Sequence, residues 1–169
     1  MFREMRRKKQ LLSKEDTEIV LMRNSVGVLS VLGDDGYPYG VPISYVYHDG
    51  KIIVHCAKEG HKMDAIRALD KVSFTVVDKN EVREEEYTSY FRSVIAFGRI
   101  HEMVSDEEIE EALYVLSEKY SPSISKEKVR AHAKDGVKRT AVLVMEIEHV
   151  TGKEAIELVN AKHHGEGAL

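Results

Sequence analysis

A single cysteine, Cys56, is all the thiol chemistry that the 169 residues offer. It excludes an intramolecular disulfide and any multi-cysteine zinc or iron–sulfur centre, and it points to a reducing, cytoplasmic location. No apolar run reaches the roughly 18 to 20 residues a membrane-crossing helix needs. The stretch Met1 to Lys9 carries basic residues with no apolar segment after them, so it does not read as a secretory signal. Proline occurs only at Pro38, Pro42 and Pro122, and no repeat or low-complexity segment is visible. GxGxxG after a strand, GxxxxGK[ST] and GxSxG are all missing, which removes the usual support for nucleotide-fold and serine-hydrolase readings. The histidines form no HExxH or other compact ligand set, and the adjacent His163-His164 pair does not make a structural zinc site, so no metal is expected. An excess of positive charge is also absent, with 25 Lys and Arg against 29 Asp and Glu. A net charge of −4 argues against a general nucleic-acid binder, and the one dense basic run, Arg6 to Lys9, reads as a solvated terminus.

What remains is an ordinary globular mixture, 43% hydrophobic and 32% charged, long enough for one domain with a sizeable core. Ser13 opens a helix to about Asn24, with an acidic residue three positions on. Val26 to Leu32 is β-rich and stops at Gly33-Asp34-Asp35-Gly36. Tyr37 to Tyr47 resumes as a strand, with Pro42 marking an edge, a bulge or a ligand-facing break. His48-Asp49-Gly50-Lys51 then turns the chain into Ile52 to Ala57, so the early connections are hairpins. A short helix carries Met63, Ile66 and Leu69 at helical spacing, and Val72 to Val77 is a strand. Asp78 to Thr88, rich in charge, reads as an exposed loop, and Tyr90 to Val104 as a long strand with Gly98 at a bulge. Helices follow from Ser105 to Lys119 and from Ser125 to Lys134, and Ala141 to Val150 closes the sheet. Six strands joined this way predict a mainly β fold, an antiparallel barrel with helices at its ends.

Two places carry candidate chemistry. Gly60-His61-Lys62 heads a helix, where free N–H groups, the helix dipole and a lysine suit a phosphate; the bland alternative is a turn beside a solvated charge. His55 and Cys56 end an apolar strand. Alternation puts His55 with Ile53 on one face and Val54 with Cys56 on the other. By itself His55 is more often a hydrogen-bonded core histidine than a catalyst, and Cys56 more often a small buried hydrophobe than a nucleophile, with no sign of an activated thiolate.

At Pro38-Tyr39-Gly40-Val41-Pro42-Ile43-Ser44-Tyr45, His55-Cys56-Ala57 and Gly60-His61-Lys62 the chain resembles the flavin-binding split barrels of the pyridoxamine 5′-phosphate oxidase-like superfamily, and within it the nitroimidazole-resistance (Nim) group. Met5-Arg6-Arg7, the strand Phe91 to Gly98 and Thr151-Gly152-Lys153 support the likeness, which spans roughly Met5 to Glu154. The resemblance implies a six-stranded split barrel over residues 1–155, with 156–169 a flexible tail. It implies a homodimer with FMN between the subunits, acting on a small molecule and needing neither nucleic acid nor membrane. Carried over position by position, Tyr39, Val41, Pro42, Ile43 and Ser44 would line the flavin, partly through their backbone. His55, Cys56 and Ala57 would sit at the adjacent strand end, and His61 and Lys62 would hold the phosphate. Ser93 stands where oxidases of the superfamily often place a glutamine facing the flavin, and His55 matches a histidine near the Nim nitro-drug site, the catalytic candidate. The chain has no tryptophan and no Arg-x-His ending, so the vitamin-gripping segment of the oxidase proper is missing and oxidation of pyridoxamine phosphate is not expected. The reading is therefore an FMN-dependent, nitroreductase-like oxidoreductase, with a non-catalytic flavin or haem carrier or sensor as the alternative.

Overall fold

Turn residues divide the first third of the chain into a meander. In a computed structural model, which describes residues 2–164, β1 (Val26–Leu32) passes through a turn at Asp34–Gly36 into β2 (Pro38–His48), and Asp49-Gly50 reverses that strand into β3 (Lys51–Cys56). With β4 (Lys71–Arg83), β5 (Thr88–Glu102) and β6 (Ala141–Glu154), these strands close an antiparallel barrel in the order β1-β2-β3-β6-β5-β4. The fold is thus the mainly β, six-stranded arrangement that the hairpin spacing implies. Inward residues of every strand, among them Leu29, Tyr45, Val54, Phe74, Val94 and Leu143, fill the interior. Each such apolar side chain contributes roughly 1.5–3 kcal/mol by leaving water.

The flanking helices are α1 (Lys14–Arg23), α2 (His61–Ala68), α3 (Asp106–Tyr120), α4 (Lys126–Gly136) and α5 (Ile156–His163). Ser13 caps α1 by accepting from Asp16 N–H at 2.9 Å, and Ser105 caps α3 at Glu108 N–H. The helical hairpin α3–α4 does not sit at a barrel end. It lies on the flank, because the outward residues of β2, β3 and β6 are apolar as well. Val46, Ile53, Val142 and Val144 form a second core there with Leu113, Leu116, Val129 and Ala133. Strands covered on both faces read as continuous apolar runs, which Ile52-Ile53-Val54 and Val142-Leu143-Val144 are.

Gly98 marks the bulge: the β5–β6 register slips between Phe97 and Gly98. A Cβ at Gly98 would lie 2.0 Å from the Glu146 carbonyl oxygen, so only glycine lets the two backbones approach.

Two further expectations are corrected. The charged stretch 78–88 is not a loop; β4 continues to Arg83 and pairs with β5 as far as Arg83↔Thr88, leaving only a tight turn around Glu84–Glu86. Its charges do not open it, since opposite signs neighbour one another on one face, Glu81 lying 3.1 Å from Lys79 and 2.7 Å from Arg83. The chain after 155 is not a loose tail either. Helix α5 forms, and its Lys162 ammonium lies 3.0 Å from Asp16 and 2.9 Å from Glu154. Residues 165–169 of the expected tail lie outside the described residues. No described helix is long and apolar enough to cross a membrane.

Candidate functional site

The barrel forks between β2 and β3. Their pairing ends at Tyr45↔Val54, yet β3 continues beside β6 as far as Cys56↔Ala141. Pro38 to Ser44 therefore have β1 on one side and, among the described residues, no strand on the other. Pro42 sits in this half-paired stretch, where a missing N–H is tolerated.

Register decides which side chains each surface receives. Tyr39, Val41 and Ile43 oppose Val31, Leu29 and Gly27 and turn inward, partly buried, whereas Pro42 and Ser44 turn outward and are exposed. Of the five residues expected to line a flavin, only Pro42 and Ser44 offer side chains to the outside; the other three offer backbone.

Helix α2 begins beside the fork. Gly60 precedes it at φ +117°, a conformation that L side chains rarely adopt. No side chain caps the helix, and Met63 and Asp64 N–H both donate to Gly60 O. The first turn thus presents uncapped N–H groups with Lys62 among them. The His61 ring stacks on Tyr39 at 4.3 Å, accepts from Asp34 N–H at 3.3 Å and lies 3.6 Å from the Asp34 carboxylate. It fastens α2 to the β1–β2 turn as well as facing solvent.

Strand alternation holds as expected at β3. Cys56 turns toward the interior, its sulfur 3.6 Å from the Met63 sulfur. Burial pushes its thiol up, against a downward pull from nearby Lys62, so it is not poised as a thiolate nucleophile. His55 faces the other way. Burial, then the charge of Lys62 and the neighbouring His132, hold its pKa below the usual histidine value. It is a neutral imidazole at pH 7. Ala57 is exposed on the way to α2.

Ser93 is not brought to this place within one chain. It lies on the outer face of β5 opposite Val77 and Lys153, whereas His55 pairs with Val142. At about 3.3 Å per residue, Val142 and Lys153 are roughly 35 Å apart along β6.

His55 and Ser44 open into a cleft of about 640 Å³ beneath the α3–α4 hairpin. Leu113, Leu116, Ile124 and Val129 form its apolar wall, and His132, Lys128 and Arg139 add polar groups. Tyr120 ties the hairpin to the fork: Tyr45 N–H donates to its hydroxyl at 2.9 Å, and that hydroxyl is 2.8 Å from Tyr45 O. These hairpin residues escape the sequence reading. The available signal was Lys128 and His132, four residues apart and so on one face of a helix. Among the described residues, no group of three or more His, Cys, Asp or Glu side chains is placed to hold a metal ion.

Comparison with known proteins bears on this geometry. The sequence pattern of a family described as pyridoxamine 5′-phosphate oxidase matches residues 13–154. No curated protein matches the chain. Among solved structures, an FAD-binding protein of Mesorhizobium loti is 26% identical, with 86% of this chain and 97% of that chain covered and a TM-score of 0.61. A Bacteroides thetaiotaomicron protein assigned to 5-nitroimidazole antibiotic resistance is 19% identical, with 85% and 86% covered and a TM-score of 0.71. An FAD and heme binding protein of Mycobacterium smegmatis is 18% identical, with 87% and 73% covered and a TM-score of 0.72.

Proposed function

The chain belongs to the pyridoxamine 5′-phosphate oxidase family, and from that premise we propose that it binds a flavin, FMN, and serves as an oxidoreductase toward nitro compounds or other small electrophiles. The observation that carries the reading is the uncapped α2 N-terminus with Lys62, set beside the half-paired stretch of β2 and the cleft that His55 enters. These residues fit the group. Backbone N–H groups and Lys62 supply donors for a phosphate, and the unpaired edge of Pro38 to Ser44 supplies backbone groups for a ring system.

A bound flavin would supply the electron transfer. The chain's own part is positioning. Lys62 and the first turn of α2 hold the anionic end, while Pro42 and Ser44 form the wall on the outer face. His55, kept neutral by burial and by Lys62 and His132, offers an imidazole N–H as a hydrogen-bond donor to substrate in place of a full positive charge. The α3–α4 hairpin limits water on that side.

A homodimer belongs to this proposal. Val26, Val77, Ile95 and Phe97 are exposed on the outer face of β1, β4 and β5, with Ser93 between Val77 and Ile95. A second copy against that face would cover the patch, and Ser93 would reach a flavin site only across the contact. Sedimentation at micromolar concentration is expected to give a particle of twice 19.2 kDa; a monomer alone would refute it.

One observation favours a second reading. His55 and His132 enter the same cleft, and a solved relative is an FAD and heme binding protein. Purification without added cofactor tests both. A flavin spectrum supports the proposal, a Soret band supports haem, and a colourless protein that takes up neither removes both. In flavin-loaded protein, His55→Ala is expected to retain the flavin and lose most nitroaromatic reduction; undiminished turnover in the folded variant would exclude a catalytic role for His55.

A further inference from the structure

The cleft beneath α3–α4 has a charge character that flavin binding at α2 does not explain. Its lining includes Lys128 and Arg139 together with His55 and His132, and no aspartate or glutamate, in a chain with 29 acidic residues against 25 basic ones. Neither cation has a carboxylate partner among the described residues. Arg139 donates only to the Asp135 carbonyl, at 3.1 Å. Outside the N-terminal Arg3, Arg6 and Arg7, the other arginines are matched: for example, Arg99 reaches Asp70 and Glu148, Arg130 reaches Glu111, and Arg92 reaches Glu154. Opposite the cations stands the apolar wall of Leu113, Leu116 and Ile124.

We propose that this cleft is the substrate pocket and that it selects a small apolar or aromatic molecule carrying a carboxylate, the acid group between Lys128 and Arg139 and the body against Leu113, Leu116 and Ile124, within reach of His55. The assignment rests on the flavin reading for its chemistry but not for its binding. An apolar wall gives affinity without orientation, whereas a guanidinium fork fixes the direction of a carboxylate. Lys128 and Arg139 come from α4 and the segment after it, and His55 from the end of β3, so an acid held by the cations places its far end toward the strand side of the cleft. The two cations, unmatched by any carboxylate, exert a field that an anionic ligand neutralises and a neutral ligand leaves in place.

Calorimetric titration of the protein as purified, with 4-nitrobenzoate and the neutral 4-nitrobenzamide, tests the pocket. The acid is expected to bind at least about tenfold more tightly, the size of one charge-assisted contact. Lys128→Gln with Arg139→Gln is expected to weaken the acid by about ten- to a hundredfold while leaving the amide within about twofold and the flavin content unchanged. Leu116→Gln is expected to weaken both probes, as loss of the apolar wall should. Equal binding of acid and amide in the unmodified protein overturns the proposal. So does a double variant that binds the acid as before, or one that loses its flavin together with the acid, since the cleft then holds the cofactor. A protein that discriminates acid from amide but purifies and reconstitutes without flavin keeps the anion pocket and removes the flavin reading.

Discussion

Replacing Arg92 by methionine is expected to destabilise the fold by about 1–3 kcal/mol, the usual cost of removing one partner from buried, charge-assisted hydrogen bonds. Arg92 lies in β5 with its side chain only 7% exposed, 2.9 Å from Glu154 of β6 and 3.3 Å from Asp78 of β4. Asp78 also takes bonds from Arg23 and Asn24 at the end of α1, and Glu154 receives Lys162 from α5. One connected set of charges thus joins three strands to two helices. Urea unfolding should show the loss, and a melting point lower by roughly 2–12 °C should accompany it. Arg92→Met with Glu154→Met should cost less than the sum of the two single changes, because both remove the same Arg92–Glu154 contact. A single-variant loss under about 1 kcal/mol would show that the network does not hold these elements together.

The same network sets an acid limit. Burial pushes the Asp78 carboxyl up, but hydrogen bonds from Arg23 and Asn24, the Arg23 charge and a bond from Arg92 outweigh it and hold the group below its ordinary value of 3.8. A carboxylate whose folded pKa lies below its unfolded one contributes stability that is complete above the ordinary carboxylate range. That contribution is lost as pH falls from there through the lower folded value. Asp78→Asn should flatten that part of the stability profile.

These charges also mark where sequence reading stops. The meander from Val26 to Cys56 was legible because Gly33 to Gly36 and Asp49-Gly50 are turn chemistry between β-rich runs, and the bulge at Gly98 was legible as a glycine inside a strand. The segment 78–83 lacks any apolar alternation. It is a strand because its backbone pairs with β5 from Lys79↔Arg92 to Arg83↔Thr88 and Asp78 meets two arginines of other elements, facts of tertiary structure. Helix α5 escaped for a similar reason, as its Lys162 is held by Asp16 and Glu154, far away in sequence and adjacent only once the barrel closes. At the site, Gly60-His61-Lys62 announced a helix start, and period-two alternation sorted His55 from Cys56. His132, Lys128 and Arg139 did not announce themselves. A helix of ordinary composition becomes a cleft wall only because β3 and β6 are apolar on their outer face and draw it there. His61 shows the reverse case: a residue read for phosphate also stacks on Tyr39 and clamps a turn.

Lys62→Ala is expected to weaken FMN by about ten- to a hundredfold and to leave riboflavin almost unaffected. A flavin phosphate is dianionic or nearly so, and removing it from water requires donors in return. Helix α2 provides them in two forms. Its first turn has no side-chain cap, so backbone N–H groups and the positive end of the helix dipole are free for an anion. Lys62, half-buried beside the fork, adds a full positive charge to a turn that also carries the Asp64 carboxylate. A charge-assisted hydrogen bond is worth about 1.5–3 kcal/mol, which corresponds to one to two decades in affinity. Riboflavin lacks the phosphate and makes none of these contacts, so the ratio of FMN to riboflavin affinity isolates Lys62 from any general loosening of the barrel. Lys62→Arg should restore much of the ratio by keeping the charge. FAD, measured alongside, separates the cofactor choice from the site: tighter binding of FAD than of FMN would remove FMN while leaving Lys62 in place. An unchanged ratio in Lys62→Ala would put the phosphate elsewhere, and the flavin would have to leave the β2–β3 fork with it.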